Sequence, residues 1–217
     1  MVNRLALFDC DGTLVDSQHS IFVCVEEAFA RAGLASPGRL AARRVVGLSL
    51  LPAMTMLAPH GEAELHEQLA EDYKAAFQRL RRAGLVEEPL FDGIVEALDM
   101  LQDDGWILGV ATGKSDRGLD LCLRQHGLRE RFLTLQTADR HPSKPHPSMA
   151  HRAMADAGAV PETTVMIGDT SFDMAMGVAA GTRAIGVDWG YHPREELLAA
   201  GASQVIAHAR ELKEAIS

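Results

Sequence analysis

The stretch LALFDCDGTLVDS, Leu5–Ser17, joins an apolar run to two aspartates that are one residue apart. Apolar residues without alternation are typical of a strand covered on both faces, so the run predicts the first strand of a parallel sheet. Asp9 and Asp11 follow at its end, where a period of two turns both side chains toward the same side. Gly12 allows close approach of the backbone. Ligands of open parallel sheets bind beyond the carboxyl ends of the strands, and we therefore expect a site here.

Six apolar runs alternate with amphipathic helical segments over most of the chain. The predicted strands cover residues 4–8, 106–112, 132–136, 164–168, 183–187 and 203–207. Between them, Asp92 and Ser115 are in position to cap the starts of two helices. This alternation predicts an α/β fold, a doubly wound, mostly parallel, Rossmann-like sheet with helices on both faces.

One block interrupts this alternation, because residues 17–88 contain helical patterns and no convincing strand. One helical pattern ends at Gly33, and another shows an apolar stripe from Leu65 to Leu80. Pro and Gly residues separate these patterns. The predicted domains are an α/β core, residues 1–15 and 90–217, and an inserted all-helical cap, residues 16–89.

The formal net charge of −9 argues against nucleic acid and anionic membranes as partners, because both would be repelled. It does not exclude an anionic small substrate, since a metal ion or a lysine can reverse the field inside one pocket. No apolar run approaches the ~20 residues that span a bilayer, and the N-terminal stretch is too short for a signal peptide. Three cysteines without paired spacing, Cys10, Cys24 and Cys122, indicate buried free thiols. A cytoplasmic protein is expected.

Polar side chains follow four of the predicted strands. They are Asp9 and Asp11 after the first strand, Thr112, Gly113 and Lys114 after the second, Lys144 in the loop after the third, and Asp169 and Asp173 after the fourth. Ionised aspartates brought together would repel one another by roughly 4 kcal/mol per pair at ~4 Å and an effective dielectric constant of about 20. One lysine cannot neutralise them, and oxygen ligands favour a hard divalent cation such as Mg²⁺. A carboxylate nucleophile, a metal ion, a lysine and a second carboxyl group indicate phosphoryl transfer.

Four segments carry a family resemblance, namely DCDGTLVDS, ATGKS, KPHP and GDTSFD. In this order they resemble the four motifs of the haloacid dehalogenase superfamily of phosphohydrolases. The helical insert directly after the first motif resembles the small α-helical cap of one subclass. The resemblance covers essentially the whole chain, and the nearest kind of enzyme is a phosphoglycolate phosphatase.

The resemblance implies a role for each motif acid. Asp9 is implied as the nucleophile that forms an aspartyl-phosphate, and Asp11 as the general acid and then the general base. Mg²⁺ is implied to bind the Asp9 carboxylate, the Asp11 backbone carbonyl and Asp169. Asp173 is implied at the same metal site, where it orients metal-bound water or the lysine.

The resemblance also implies which residues hold the substrate. Thr112 and Lys144 are implied to bind the phosphoryl group, to which the Gly113 amide can also donate, and Lys144 is implied to steady the nucleophile during catalysis. The segment ARRVVGLSL, residues 42–50, resembles the specificity segment of the cap. Within it, Gly47 lets the cap approach the phosphate, and Arg43 is a candidate to bind a substrate carboxylate.

The expected activity is Mg²⁺-dependent hydrolysis of a small phosphorylated metabolite. A nucleotidase, a sugar-phosphate phosphatase and a pyrophosphatase of the same superfamily are alternatives, because the contacts that select the leaving group lie in the cap. A phosphorelay receiver-like signalling module is an alternative of a different class, since it also accepts a phosphoryl group on an aspartate. The helical insert and Asp11 argue against the receiver. Both a monomer and a homodimer are compatible with the sequence.

Overall fold

The six strands form one sheet in which every hydrogen-bonded pair of neighbours is parallel. The structure is a computed structural model that describes residues 2–216. The strands are β1 Asn3–Phe8, β2 Trp106–Thr112, β3 Phe132–Thr137, β4 Ala159–Gly168, β5 Arg183–Val187 and β6 Gln204–Ile206. Their order across the sheet is β3-β2-β1-β4-β5-β6, so the direction of winding reverses between β1 and β4. Ligand sites of such sheets lie at this reversal.

Helices cover both faces of the sheet, which confirms the predicted doubly wound α/β fold. The helices are α1 Gln18–Arg31, α2 Gly38–Arg44, α3 Leu50–Leu57, α4 Ala63–Arg82, α5 Ile94–Asp103, α6 Asp116–Gln125, α7 Ser148–Ala157, α8 Ser171–Ala179, α9 Arg194–Ala199 and α10 Leu212–Ile216. Alternate side chains of β1 point to opposite faces. Ala6 and Phe8 pack with apolar residues of α5, α6 and α10, whereas Leu5 and Leu7 pack with those of α7, α8 and α9.

The N-cap of α5 and the start of β4 differ from the sequence analysis, whereas the N-cap of α6 agrees with it. The ends of β1, β3 and β6 differ from the predicted ones by one residue. The N-cap of α5 is Gly93, whose φ of +75° suits glycine, so the prediction that Asp92 caps this helix is wrong. β4 begins at Ala159, earlier than predicted, because an additional pairing with the start of β1 extends it beyond its apolar run. Ser115 caps α6 as predicted, and its hydroxyl accepts a hydrogen bond from the Gly118 N–H at 3.1 Å.

The helices α1–α4 form the inserted block and bury an apolar cluster that is distinct from the two sheet faces. Val25, Phe29, Met54 and Leu69 lie in this cluster. α4 carries the apolar stripe that the sequence predicted. The division of the chain into a core and a cap stays a prediction.

Two neighbouring chain segments join this block to the rest of the chain. The Asp16 N–H donates a hydrogen bond to the Pro89 carbonyl at 2.8 Å, and the Phe91 N–H donates one to the Leu14 carbonyl at 3.1 Å. The two segments therefore run antiparallel and are paired to each other, so the block enters and leaves at one place.

The structure also bears on cysteine chemistry and on membranes. Cys10, Cys24 and Cys122 are free and buried, as predicted. Within residues 2–216, none of the helices is both long enough and apolar enough to cross a membrane.

Candidate active site

Three buried aspartates meet at the carboxyl ends of β1 and β4. Asp9 directly follows β1, Asp169 directly follows β4, and Asp173 lies in the first turn of α8. One carboxylate oxygen from each lies within 4.8 Å of those of the other two. The structure thus brings together three acids that are far apart in the sequence, as the strand-end argument predicts. We call these residues the aspartate cluster.

Asp173 is held in place by the start of its own helix. Its Oδ2 accepts hydrogen bonds from the N–H of Thr170 at 3.0 Å and from the hydroxyl of Thr170 at 2.7 Å. The Asp173 N–H in turn lies 3.3 Å from the Thr170 hydroxyl, which completes a capping box. Its second oxygen, Oδ1, is left to face the cluster and binds a lysine.

That lysine is Lys144, and it lies fully buried between two members of the aspartate cluster. Its Nζ lies 2.7 Å from Asp9 Oδ1 and 2.6 Å from Asp173 Oδ1. Burial alone would lower the pKa of Lys144, but the carboxylates of Asp173 and Asp9 outweigh it and raise the pKa above its usual value. The ammonium group therefore keeps its charge at neutral pH.

Three carboxylates and one ammonium group leave an excess of negative charge in the cluster. Burial raises the pKa of Asp9 to about 7, against the opposing effect of Lys144 and with a further increase from Asp173. Burial, together with Asp9 and Asp173, raises the pKa of Asp169 well above its usual range. Among the described residues, neither oxygen of Asp9 has a hydrogen-bond donor of suitable geometry, although Lys144 is close. Buried carboxylate oxygens that lack well-aligned hydrogen-bond donors are suitable ligands for a divalent cation.

Asp169 is oriented from two sides, and glycine is required next to it. Its Oδ1 accepts a hydrogen bond from the Thr13 hydroxyl at 2.8 Å, and its Oδ2 accepts one from the Tyr191 N–H at 2.9 Å. Gly12 has φ of +90°, and a Cβ on it would lie 2.2 Å from Asp169 Oδ2. The glycine and threonine that follow the two acids in the first motif are thereby explained by the packing of Asp169.

The carboxylate of Asp11 binds a different set of residues from that of Asp9. Lys114 Nζ lies 2.8 Å from Asp11 Oδ1 and 2.7 Å from Glu88 Oε1. The Ser17 hydroxyl also donates a short hydrogen bond to Asp11. Asp11 and Lys114 line a cavity of about 810 Å³ between the inserted helices and the loop after β2. Asp11 is therefore placed between the aspartate cluster and a space that can receive a leaving group.

The predicted phosphate-binding glycines mark where the inserted block comes closest to the strand ends. A Cβ on Gly113 would lie 2.4 Å from the Leu48 carbonyl oxygen. Gly47 has φ of +96°, and a Cβ there would lie 3.1 Å from the Thr170 hydroxyl. Thr112 is buried at the end of β2, directly before Gly113. Both glycines are thus required for the close contact between the two parts.

Arg43 is directed to the loop after β5. Its Nη2 donates a hydrogen bond to the Gly190 carbonyl at 2.5 Å, and its guanidinium lies 5.7 Å from the centre of the Tyr191 ring. It is not among the residues that line the cavity beside Asp11. The role of Arg43 in binding a substrate carboxylate stays a prediction.

The four motifs and this geometry agree with the match to a known family. Residues 6–187 match the family described as haloacid dehalogenase-like hydrolase. The chain belongs to the haloacid dehalogenase-like hydrolase family.

Similar proteins support this assignment of the hydrolase. The chain is 37% identical over 207 residues to the probable phosphatase IndB of Dickeya dadantii, which covers 93% of this chain and 88% of that protein. It is 28% identical to a phosphoglycolate phosphatase of Nitrosococcus oceani, over 99% of this chain and 96% of that enzyme. A haloacid dehalogenase-like hydrolase from Bacteroides fragilis has a similar structure, with a TM-score of 0.88 and 25% identity over 97% of this chain and 99% of that one. The predicted family resemblance is confirmed.

Sequence reasoning places Lys114 at the end of the second strand but does not predict that it binds Asp11 in this haloacid dehalogenase-like hydrolase. It does not identify Glu88, the other partner of Lys114. Glu88 is only 1% exposed. Its sequence context, two glutamates followed by a proline, is instead typical of an exposed linker. Glu88 is buried between Arg81 of α4 and Lys114 after β2, which the sequence does not show.

Proposed function

We propose that this hydrolase is a Mg²⁺-dependent phosphatase that acts on small phosphomonoesters through an aspartyl-phosphate on Asp9. The observation that carries this proposal is the buried ion pair in which Lys144 Nζ lies 2.7 Å from Oδ1 of the Asp9 carboxylate. A fixed ammonium group beside such a carboxylate can hold a phosphoryl group in reach of it. The names of the two relatives described above support action on phosphate esters.

Mg²⁺ fits the donors of the aspartate cluster. The carboxylates of Asp9 and Asp169 would hold it together with the backbone carbonyl of Asp11, and Asp173 would orient its water ligands or Lys144. All these donors are oxygen atoms, which hard divalent cations prefer. When bound, the ion supplies positive charge that offsets the carboxylates and polarises the phosphoryl group.

Asp9 and Asp11 divide the chemistry between them. In the first step an oxygen of Asp9 forms a bond to phosphorus while the bond from phosphorus to the leaving oxygen breaks. Asp11 gives its proton to that oxygen, so a neutral alcohol departs. In the second step Asp11 takes a proton from water, whose oxygen bonds to phosphorus and displaces Asp9. Inorganic phosphate leaves, and both aspartates are restored.

Three residues at or after the ends of neighbouring strands would hold the phosphoryl group. The Lys144 ammonium supplies charge, and the Thr112 hydroxyl and the Gly113 N–H supply hydrogen-bond donors. Asp173 keeps Lys144 in place through their 2.6 Å contact. Thr112 and Gly113 lie at the end of β2, and Lys144 is held in the loop after β3 by two buried carboxylates, so these groups are oriented before the substrate binds.

Movement of the predicted cap would admit the substrate and then exclude water. In the structure Gly113 lies against the backbone of Leu48, which is a closed arrangement of the two parts. Opening about the paired linkers would uncover Asp9 and Lys144 to phosphate esters. Closure then removes bulk water from the site, which strengthens the charge interactions within it.

The test of this function is turnover of p-nitrophenyl phosphate by the purified protein with Mg²⁺. Repeated turnover is expected, whereas a receiver-like module would accept a phosphoryl group without it. Asp9→Asn is expected to lower kcat by about a thousandfold or more. Asp120→Asn, at an exposed position of α6, serves as the matched control and should leave kcat unchanged. Full activity in Asp9→Asn would overturn the assignment of the nucleophile.

The leaving group, the location and the assembly are further parts of the proposal. Phosphoglycolate, a nucleoside monophosphate, a sugar phosphate and pyrophosphate all fit the chemistry of the aspartate cluster. A small phosphorylated metabolite in the cytoplasm is the proposed partner, with neither nucleic acid nor membrane involved. The protein is proposed to act as a monomer or a homodimer, and light scattering of the purified protein distinguishes the two.

A further inference from the structure

The cavity beside Asp11 is larger than a two-carbon leaving group requires. Its volume is about 810 Å³, and cavities of about 300–1,000 Å³ hold drug-sized ligands. Apolar side chains of the inserted helices, including Val25, Leu50 and Met54, form much of its wall, and charged side chains such as Arg81 and Lys114 form other parts of it. A glycolate group would leave most of this apolar wall in contact with water. The cavity therefore suits a leaving group with a sizeable apolar surface.

Two aromatic rings of α4 form part of this wall. Tyr73 and Phe77 lie one turn apart on the helix, with ring centres 6.0 Å apart and planes inclined by 36°. Lys114 Nζ lies 5.9 Å from the centre of the Phe77 ring and binds Asp11 at 2.8 Å. The aromatic surface is thus adjacent to the group proposed to protonate the leaving oxygen. Rings of this kind stack on the faces of other rings.

Two side chains that line the cavity, Tyr73 and Ser49, carry hydroxyl groups. Within residues 2–216 the buried Ser49 hydroxyl makes no hydrogen bond. The hydroxyl of Tyr73 can donate to a ligand. Burial raises the pKa of Tyr73 above its usual value, so the phenol stays protonated and can donate. Polar groups in such positions are typically satisfied by what binds there. The ligand of this cavity therefore needs acceptor atoms as well as an apolar face.

We propose that the leaving group contains a ring that stacks on Tyr73 and Phe77 and accepts a hydrogen bond from the Tyr73 hydroxyl. This inference rests on the proposed phosphatase function and narrows its substrate class. The favoured substrates are phosphomonoesters of nucleosides or cyclic sugars, in preference to those of two- and three-carbon acids and alcohols. Tyr73 acts in specificity, because it touches the leaving group and not the phosphoryl group.

A panel of substrates tests this proposal with the full chain and Mg²⁺. Acetyl phosphate measures the phosphoryl site alone, because its leaving group is small and activated. Adenosine 5′-monophosphate and glucose 6-phosphate represent the two kinds of ring, and phosphoglycolate and glycerol 3-phosphate represent small leaving groups. At least one ring-bearing ester is expected to exceed both small esters in kcat/KM by tenfold or more. The ring-bearing ester with the higher kcat/KM shows whether the preferred leaving group is a nucleoside or a sugar.

Variants of α4 test the role assigned to Tyr73. Tyr73→Phe keeps the ring and removes the hydroxyl, and it should lower kcat/KM for the preferred ring-bearing ester by about fivefold relative to that for acetyl phosphate. Tyr73→Ala removes both and should lower this ratio by more than tenfold. Gln68→Ala, at an exposed position of the same helix outside the cavity, should leave the ratio unchanged.

The outcomes separate this inference from the proposed function. Hydrolysis of acetyl phosphate with a preference for phosphoglycolate or glycerol 3-phosphate would overturn the ring proposal and keep the phosphatase. An unchanged ratio in both Tyr73 variants would likewise overturn it. Failure to hydrolyse acetyl phosphate and every ester of the panel would overturn the phosphatase function itself.

Discussion

Lys114 Nζ lies 2.8 Å from Asp11 Oδ1, and the same nitrogen lies 2.7 Å from Glu88 Oε1. Glu88 is also bound by Arg81 of α4, whose Nη2 lies 3.1 Å from Glu88 Oε2. A chain of charges therefore runs from an inserted helix, through a linker residue, to the proposed general acid. Lys114 is a positioning residue in this chain, since it fixes the carboxyl group of Asp11 at the edge of the cavity.

Removal of the Lys114 ammonium should impair the proton transfer assigned to Asp11. We expect Lys114→Met to lower kcat about tenfold or more for a poor leaving group, with a smaller loss for p-nitrophenyl phosphate, whose leaving oxygen needs little protonation. Steady-state kinetics with both substrates measure the difference. Glu88→Gln keeps the contact between Lys114 and Asp11 and should have a smaller effect. Equal losses for both substrates would contradict a role in positioning Asp11.

Lys144 should be essential for stability as well as for turnover. Lys144→Met leaves the aspartate cluster without its buried ammonium group, and breaking such a buried pair costs about 3–5 kcal/mol. Thermal unfolding should therefore begin at a lower temperature, and added Mg²⁺ should restore part of the loss. Lys74→Met, which removes an exposed ion pair with Glu71, is the control and should change the unfolding temperature little. A Lys144→Met protein that unfolds like the parent would contradict this account of the cluster.

The stability of the metal-free protein should depend on pH through Asp9. Its pKa of about 7 in the folded protein lies above the ordinary value of 3.8, so between these values the folded state retains a proton that the unfolded chain releases. The free energy of unfolding therefore falls as pH rises through this window, by at most about 1.4 kcal/mol per pH unit. Mg²⁺ should oppose this loss, because it stabilises the ionised carboxylate.

Unfolding curves with EDTA and with Mg²⁺ at pH 5 and pH 7.5 measure this dependence. Asp9→Asn cannot titrate at this position and should show a shallower dependence on pH in EDTA. A metal-free parent protein that gains stability from pH 5 to pH 7.5 would refute the prediction.

A methyl group at Gly113 should prevent the closed arrangement. Its Cβ would lie 2.4 Å from the Leu48 carbonyl oxygen, and backbone atoms cannot move aside as a flexible side chain can. We expect Gly113→Ala to lower kcat/KM at least tenfold while the unfolding temperature changes little. Limited proteolysis should cut its linkers near Asp16 and Pro89 faster than those of the parent. Unchanged kinetics would show that this contact does not matter for turnover.

The sequence predicts the sheet and the aspartate cluster well, because both follow from local signals at strand ends. Asp9, Asp169 and Lys144 each stand directly after, or in the loop after, an apolar run, and parallel pairing alone brings them together. The N-cap of α5 is harder to predict from the sequence, since Asp92 and Gly93 are both good capping residues. The positive φ of Gly93 decides between them.

The partners of Asp11 and the direction of Arg43 depend on how the inserted helices sit on the sheet. Glu88 is buried between Arg81 of α4 and Lys114 after β2, and Arg43 of α2 binds Gly190 in the loop after β5. Such contacts join residues that are far apart in the chain and carry no periodic pattern. The cavity beside Asp11 cannot be predicted from the sequence for the same reason.

Because the two linkers are paired, the inserted helices can be exchanged as one unit. Because the Asp16 N–H donates to the Pro89 carbonyl at 2.8 Å, the inserted segment begins and ends at one point beside the sheet. A tight turn of a few residues could join these two positions directly. Helices of another length could be inserted at the same point, because the strands of the sheet do not depend on the length of the insert. Substrate range and hydrolytic chemistry can therefore diverge independently in descendants of this chain.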